Sequence, residues 1–240
     1  EEALAPQAIL ARTFTLKKIQ QGGVKAHGTD ASTSVEEFQA YDASRINDKV
    51  TKAIKQTRGK VVTYQGQYIN GWFCADAGGV TSASAGEGLA YYKEKTPYIH
   101  SVKDPGFAIT LPENKAWTVS FPMDQVKSAV KKVINQDIGE ATSAAIIEKG
   151  PSGRATKVQI GQVVIGAPAL RLALGSDKVR STLLTQFNIQ NGQLVIKGKG
   201  YGHGVGMSQW GARALAEQGK KAEEIVQYFF KNVQIEKAWK

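Results

Sequence analysis

The run Gly198-Lys199-Gly200-Tyr201-Gly202-His203-Gly204-Val205-Gly206-Met207-Ser208-Gln209-Trp210-Gly211 is the densest collection of chemically capable residues in the chain. In an extended backbone successive side chains point to opposite faces. One face would then be bare glycine, while Lys199, Tyr201, His203, Val205 and Met207 share the other. A bare face suits close approach, by a packed helix or strand or by the flat face of a sugar ring or peptide. A tight glycine bend that lets two elements pack accounts for the same pattern, and an isolated His203 fits a structural role as well as a catalytic one. The spacing of two between Gly200, Gly202, Gly204 and Gly206 never supplies a G-x-G-x-x-G or GK[ST] arrangement, which excludes a nucleotide phosphate loop. His27, His100 and the single Cys74 are too scattered for the spaced ligand pairs of a zinc site, so no metal and no cofactor is expected.

These residues need elements to hold them. Residues 2 to 20 carry Leu4, Ala8, Ala11 and Phe14 at helical spacing and stop at Gly22-Gly23, which predicts a helix with Pro6 tolerated in its first turn. The following segment, to about Ser44, is small, polar and aperiodic, as in an irregular surface excursion. Asn47 or Asp48 caps a second helix ending before Gly59, and a hairpin turns at Gln65-Gly66. The middle third predicts a strand at Trp117 to Phe121, a helix from Met123 to Gln136 with Val126, Val130 and Val133 facing a core, and paired strands around Gly150-Pro151-Ser152-Gly153. A short helix near Leu170 to Leu174 precedes two strands joined at Asn191-Gly192, the strongest hairpin signal here. Helices near Ser208 to Gln218 and Ala222 to Lys231 complete an α+β pattern, read as one domain over 1–240 with a sub-lobe at about 105–165.

The 240 residues are 42% hydrophobic, enough to bury a real core, and carry 31 Lys and Arg against 21 Asp and Glu, a net charge of +10. Such an excess favours a polyanionic partner: nucleic acid, anionic lipid or a wall polymer. The basic residues are not concentrated beside the aromatic ones, which argues against nucleic acid. No run approaches the roughly 18 apolar residues of a membrane span. A first residue of Glu, followed at once by a helical pattern and without a signal-peptide profile, implies that further sequence precedes it.

The stretch GKGYGHGVGMSQWGARALAEQG resembles the signature of the stage II sporulation protein D family, bacterial cell-wall proteins that include lytic transglycosylases and amidase enhancers. The opening EALAPQAILARTF resembles that family's glutamate-containing helix. Gln39, Tyr41, the run TRGKVVTYQGQYINGWFCADAGGVTS, Pro97-Tyr98 and AEEIVQYFF keep the family order between and after them.

The resemblance implies cleavage of the β-1,4 bond between N-acetylmuramic acid and N-acetylglucosamine without water, leaving a 1,6-anhydromuramyl end, with Glu2 matching the catalytic acid. One carboxyl group suffices for that reaction, whereas a hydrolase needs two, about 5–5.5 Å apart for retention or about 6.5–9.5 Å for inversion. A hydrolytic alternative would recruit Asp76 or Glu87. Glu2 has to start neutral, so the assignment predicts a carboxyl partly buried against apolar walls and facing a groove. The matched residues Arg12, Asp76, Thr81, Tyr201, His203, Ser208 and Gln209 become candidates for binding glycan: Tyr201 by stacking on sugar rings, His203 by hydrogen bonding a sugar or orienting Glu2, Ser208 and Gln209 by offering donors at a helix start. Arg12 serves to hold the fold or to bind a distant acetamido or lactyl group. The resemblance further implies an extracytoplasmic setting, glycan strands stripped of stem peptides as substrate, a cell-wall amidase and a membrane-anchored scaffold as partners during engulfment, and, as the rival function, a non-catalytic glycan binder that stimulates an amidase.

Overall fold

The computed structural model describes residues 2–34 and 38–240. Helix α1 (Leu4–Gln20) begins as expected, with Pro6 in the first turn, where its missing N–H would have had no partner. Asn47 caps α2 (Asp48–Gln56), its side chain accepting from the Val50 N–H at 3.1 Å. Strands β1 (Lys60–Tyr64) and β2 (Gln67–Tyr68) form the hairpin at Gln65-Gly66, and β3 (Phe73–Cys74) follows. Short helices α3 (Ala85–Leu89) and α4 (Pro112–Lys115) lead into β4 (Trp117–Pro122), α5 (Met123–Ile134), β5 (Ala144–Lys149), β6 (Ala155–Ile160), β7 (Val163–Gly166) and α6 (Ala167–Leu174). The chain closes with β8 (Leu184–Gln190), β9 (Gln193–Gly198), β10 (Met207–Ser208), α7 (Gln209–Glu217), α8 (Ala222–Phe229) and β11 (Gln234–Lys237). The architecture is α+β.

Two apolar cores organise these elements. The first is built from both ends of the chain: Ile9 and Leu10 of α1, Val62 of β1, Met207 of β10, and Ile225, Val226 and Phe229 of α8 are all buried together. Antiparallel pairing of β1 with β11, from Lys60 opposite Lys237 to Thr63 opposite Gln234, closes this unit. The second core lies between Trp117 and Ile196, where β4-β9-β8 and β5-β6-β7 enclose Val126, Val130, Val158 and Leu194. It is threaded into the sequence of the first and runs past the 105–165 segment expected as a sub-lobe, through β8 and β9.

Helix α1 fulfils one expectation. It buries Ala5, Pro6, Ile9, Leu10 and Thr13, while Leu4 is 36% exposed. The helix is apolar on several sides, so periodicity alone does not select the inward face.

The glycine run corrects another. Gly200, Gly202, Gly204 and Gly206 all have positive φ, at 82°, 115°, 76° and 74°, so the segment winds instead of extending, and only Met207–Ser208 pair as a strand, parallel to Phe73–Cys74. A β-carbon on Gly204 would lie 2.1 Å from Nη2 of Arg154, and one on Gly206 would lie 2.3 Å from the Trp72 carbonyl oxygen. What approaches the bare backbone is the protein itself.

Arg154 is the cation that fills the seam between the cores, 1% exposed. Its Nη2 donates to the Ala77 carbonyl at 2.7 Å and its Nη1 to Ser152 Oγ at 2.8 Å. Ser152 in turn donates from N–H and Oγ to Glu87 Oε1, both at 2.8 Å, while Glu87 Oε2 accepts from Ser82 Oγ and the Ala83 N–H. Removing one member of such a network leaves buried polar groups without partners. Replacing Glu87 by Gln puts an amide where four donors converge, so Glu87→Gln is expected to lower unfolding stability by about 2–4 kcal/mol in urea denaturation; a loss under about 0.5 kcal/mol, the range of ordinary surface substitutions, would show that the seam does not hold the cores together.

Candidate functional site

The sequence-selected residues divide into an interior set and a surface set. Asp76, Thr81 and Ser208 are buried to 1% exposure or less, out of reach of a polymer. Asp76 shares two backbone hydrogen bonds with Tyr201, and its Oδ1 accepts from the Gly78 N–H at 2.6 Å. Its Oδ2 is buried without a hydrogen-bond partner. Thr81 donates to the His100 carbonyl and accepts from the Val102 N–H. Ser208 caps α7 by accepting from the Gly211 N–H at 3.1 Å. These three were expected to meet substrate; winding of the glycine run draws them inward as the framework on which it rests.

Tyr201 and His203 are half-buried. The Arg180 guanidinium lies over the Tyr201 ring at 4.7 Å, occupying a position from which a sugar was expected to stack. His203 accepts from the Val205 N–H on Nδ1 at 3.0 Å. Burial, together with Arg171 and Arg154, pushes its pKa down to about 3. It therefore stays neutral through the physiological range and stores no proton for a leaving group. Arg12 takes the fold-holding role: its Nη1 donates to the carbonyls of Thr57 and Lys60, at 2.8 and 2.7 Å, tying α1 to the turn before β1.

Three further buried groups complete the interior, of which sequence inspection missed Asp104 altogether. Asp104 accepts from the Ala77 and Gly106 N–H groups; burial pushes its carboxyl above the usual range, Ser208 and those backbone donors resist the rise, and nearby Asp76 adds to it. Cys74 is pushed up to about 12, by burial first and by Asp104 next, which makes it an inert thiol. Glu87, a possible second carboxylate for hydrolysis, is consumed by the seam, and Asp76 is equally enclosed. No group of three His, Cys, Asp or Glu side chains able to hold a metal occurs among the described residues.

The surface set is smaller. Glu2 sits in the turn before α1, its side chain 50% exposed, with Lys221 Nζ 3.9 Å from Oε1. The expected dry enclosure is not formed around it, because the apolar face of α1 begins at Ala5 and turns inward, away from Glu2. One turn on, Gln7 Oε1 accepts from Gln209 Nε2 at 3.3 Å, which joins the starts of α1 and α7. The Glu2–Lys221 and Gln7–Gln209 contacts thus join the start of the chain to α7 and the segment after it. No sequence signal singles out Lys221, which is one of many lysines.

A histidine neutral in the fold and protonated in the unfolded chain couples stability to pH. The unfolded imidazole titrates near 6.5 and the folded one near 3. The unfolded state thus binds more protons between these values; the His203 contribution is complete above about pH 6.5 and is lost as pH falls toward 3. Urea denaturation from pH 7.5 to 4.5 is expected to show a steeper loss of stability in the native protein than in His203→Asn, whose Oδ1 can accept from the Val205 N–H; parallel curves would mean that His203 is not held neutral.

Comparison with known proteins agrees with this division. Residues 1–64 match the family described as stage II sporulation protein, and residues 112–206, which include the second core, match a domain of unknown function (DUF8618). Over 99% of its length the chain is 29% identical to stage II sporulation protein D of Bacillus amyloliquefaciens, of which it covers 69%. It is 31% identical over 98% of its length to an uncharacterized protein of Brachyspira hyodysenteriae, covering 61% of it, and 27% identical over 95% to the amidase enhancer of Bacillus subtilis, covering 37%. Along nearly its whole length, from the opening helix through the glycine run and the helices after it, the chain is similar to stage II sporulation protein D and the amidase enhancer, and its first 64 residues match the stage II sporulation protein model.

Proposed function

We propose that the chain is a peptidoglycan lytic transglycosylase domain, cleaving the bond between N-acetylmuramic acid and N-acetylglucosamine in glycan strands stripped of stem peptides. The observation that carries this is the Gln209–Gln7 hydrogen bond, which joins the starts of α1 and α7 and so brings the two longest family motifs together close in sequence to Glu2, itself beside Lys221 of the segment after α7. The net charge of +10 suits an anionic polymer. The activity belongs outside the cytoplasm, in wall remodelling during sporulation engulfment, alongside a cell-wall amidase and a membrane-anchored scaffold. Among the described residues no helix is long and apolar enough to cross a membrane.

Glu2 would first donate its proton to the glycosidic oxygen as the bond to the muramyl anomeric carbon breaks. The resulting carboxylate would accept the proton of the muramyl C6 hydroxyl as its oxygen bonds to that carbon, closing the 1,6-anhydro ring. One carboxyl thus serves twice and is returned protonated. Lys221 Nζ stands 3.9 Å from Glu2 Oε1. A productive glycan must therefore displace Lys221 and cover Glu2, supplying the desolvation that the free protein lacks.

The exposure of Glu2 and its pairing with exposed Lys221 also favour a second reading: a glycan-binding protein that stimulates an amidase without cutting the strand itself. Purified protein incubated with denuded glycan in ¹⁸O-labelled water is expected to yield unlabelled 1,6-anhydromuramyl ends by mass spectrometry, and labelled reducing ends would instead show hydrolysis. Glu2→Gln is expected to slow release at least about 100-fold, the usual contribution of a general acid–base group. An unchanged rate would place the acid elsewhere. No release by either protein, with amidase stimulation intact in both, would establish the non-catalytic role.

A further inference from the structure

The second half of α1 forms one wall of a cavity of about 300 Å³ far from Glu2. At 1.5 Å per residue, Lys17 and Lys18 lie roughly 20 Å along the helix axis from the chain's opening turn. The opposite wall comes from the loop after β2, carrying Asn70 and Trp72, and the segment after α3, carrying Tyr91 and Lys93. Gly71 brings this loop against the helix: a β-carbon there would stand 2.9 Å from the Leu10 carbonyl oxygen.

The cavity is braced before any ligand arrives. Asn70 donates from its backbone N–H to Tyr98 Oη at 2.8 Å and from Nδ2 to Glu94. Glu94 also pairs with Lys17 Nζ at 2.9 Å, and Tyr91 Oη donates to it at 3.3 Å. Trp72 and Tyr91 are half-buried and pack edge to face with ring centroids 5.0 Å apart. Lys17 is committed to Glu94 and the Tyr68 carbonyl, so its charge is largely answered inside the wall. Lys18 and Lys93, from opposite walls, have no carboxylate partner among the described residues.

Two aromatic rings line the cavity and can pack on the C–H surface of a pyranose, the Asn70 amide oxygen can accept from its hydroxyl or acetamido groups while the amide nitrogen is held by Glu94 and Tyr98, and two ammonium groups without a carboxylate partner among the described residues select an anion. We propose that this cavity binds a carboxylate-bearing amino sugar, its ring against Trp72 and Tyr91 and its carboxylate between Lys18 and Lys93. This deepens the reading of the chain as one that handles peptidoglycan glycan: a muramyl residue held here would anchor a strand remote from Glu2.

The test uses N-acetylmuramic acid, a monosaccharide with no bond to cleave, so its outcome is separate from the reaction assigned to Glu2. Titration into ¹⁵N-labelled protein is expected to move the Trp72 indole resonance, assigned by its absence in Trp72→Phe. Affinity is expected to fall at least tenfold for N-acetylglucosamine, for sn-glycerol 3-phosphate, and in the double variant Lys18→Gln/Lys93→Gln, whose side chains carry no part of the core. Glu2→Gln should bind the monosaccharide as the native protein does. No shift at millimolar N-acetylmuramic acid, equal binding of either control ligand, or unchanged affinity in the double lysine variant would each overturn the site, and none of these results bears on whether Glu2 cleaves glycan strands.

Discussion

Arg154 reaches from the edge of the second core into the first, and the space it fills exists because residue 204 carries no side chain. Burying a guanidinium costs several kcal/mol even after relaxation. The offset comes from fixed acceptors, the Ala77 carbonyl and Ser152 Oγ, and from the charges of Glu87, Asp104 and Asp76 around it. A network of this kind tolerates little displacement, since a partner moved by an ångström becomes a buried polar group without a hydrogen bond. The relative position of the two cores is therefore set more narrowly by this polar seam than apolar packing alone would set it.

The glycine run is the backbone half of the same device. Within eight residues it exchanges hydrogen bonds with Trp72, Asp76, Ser82, Asn114, Trp117 and Arg180, which lie in segments from both cores. Side chains would block these approaches, and left-handed backbone would strain them, so four alternating glycines answer both demands at once. The polar residues interleaved with them look like a binding face when read as a strand. In the folded chain Ser208 and His203 spend their hydrogen bonds on the framework, and Tyr201 lies beneath Arg180.

This difference marks what was legible in the sequence. Features governed by near neighbours read correctly: a cap at Asn47 or Asp48, which Asn47 supplies, the turns at Gln65-Gly66 and Asn191-Gly192, the stripe of Val126, Val130 and the half-buried Val133, the extent of α7, and the start of α8, which ends at Phe229, two residues before the expected Lys231. Features governed by distant partners did not. The pairing of β1 with β11 spans most of the chain, the inward face of α1 depends on which apolar residues its neighbours offer, and nothing local distinguishes Arg154 or Glu87 from surface charges. For the candidate site the alternating-strand reading put Val205 and Met207 on an accessible face with Tyr201 and His203, whereas the first two are buried. One repeated positive φ was enough to invert that assignment.

With Thr81, Glu87 and Ser208 bound into the framework, the proposed chemistry falls to the exposed residues at the starts of α1 and α7. Glu2 among them is half exposed, whereas the proposed proton transfer calls for a site covered from water. A small ligand covers too little to change this. A polymer can, because contacts made along its length supply binding energy that dries and aligns the reacting bond without acting on it directly. On the proposed reading, the seam would fix distant contact points on one body, so that energy gained at one is not lost in relative motion before it reaches Glu2. A half-exposed acid held on such a scaffold would then suit a long strand, which would bring to the surface the dryness that the free protein does not build for itself.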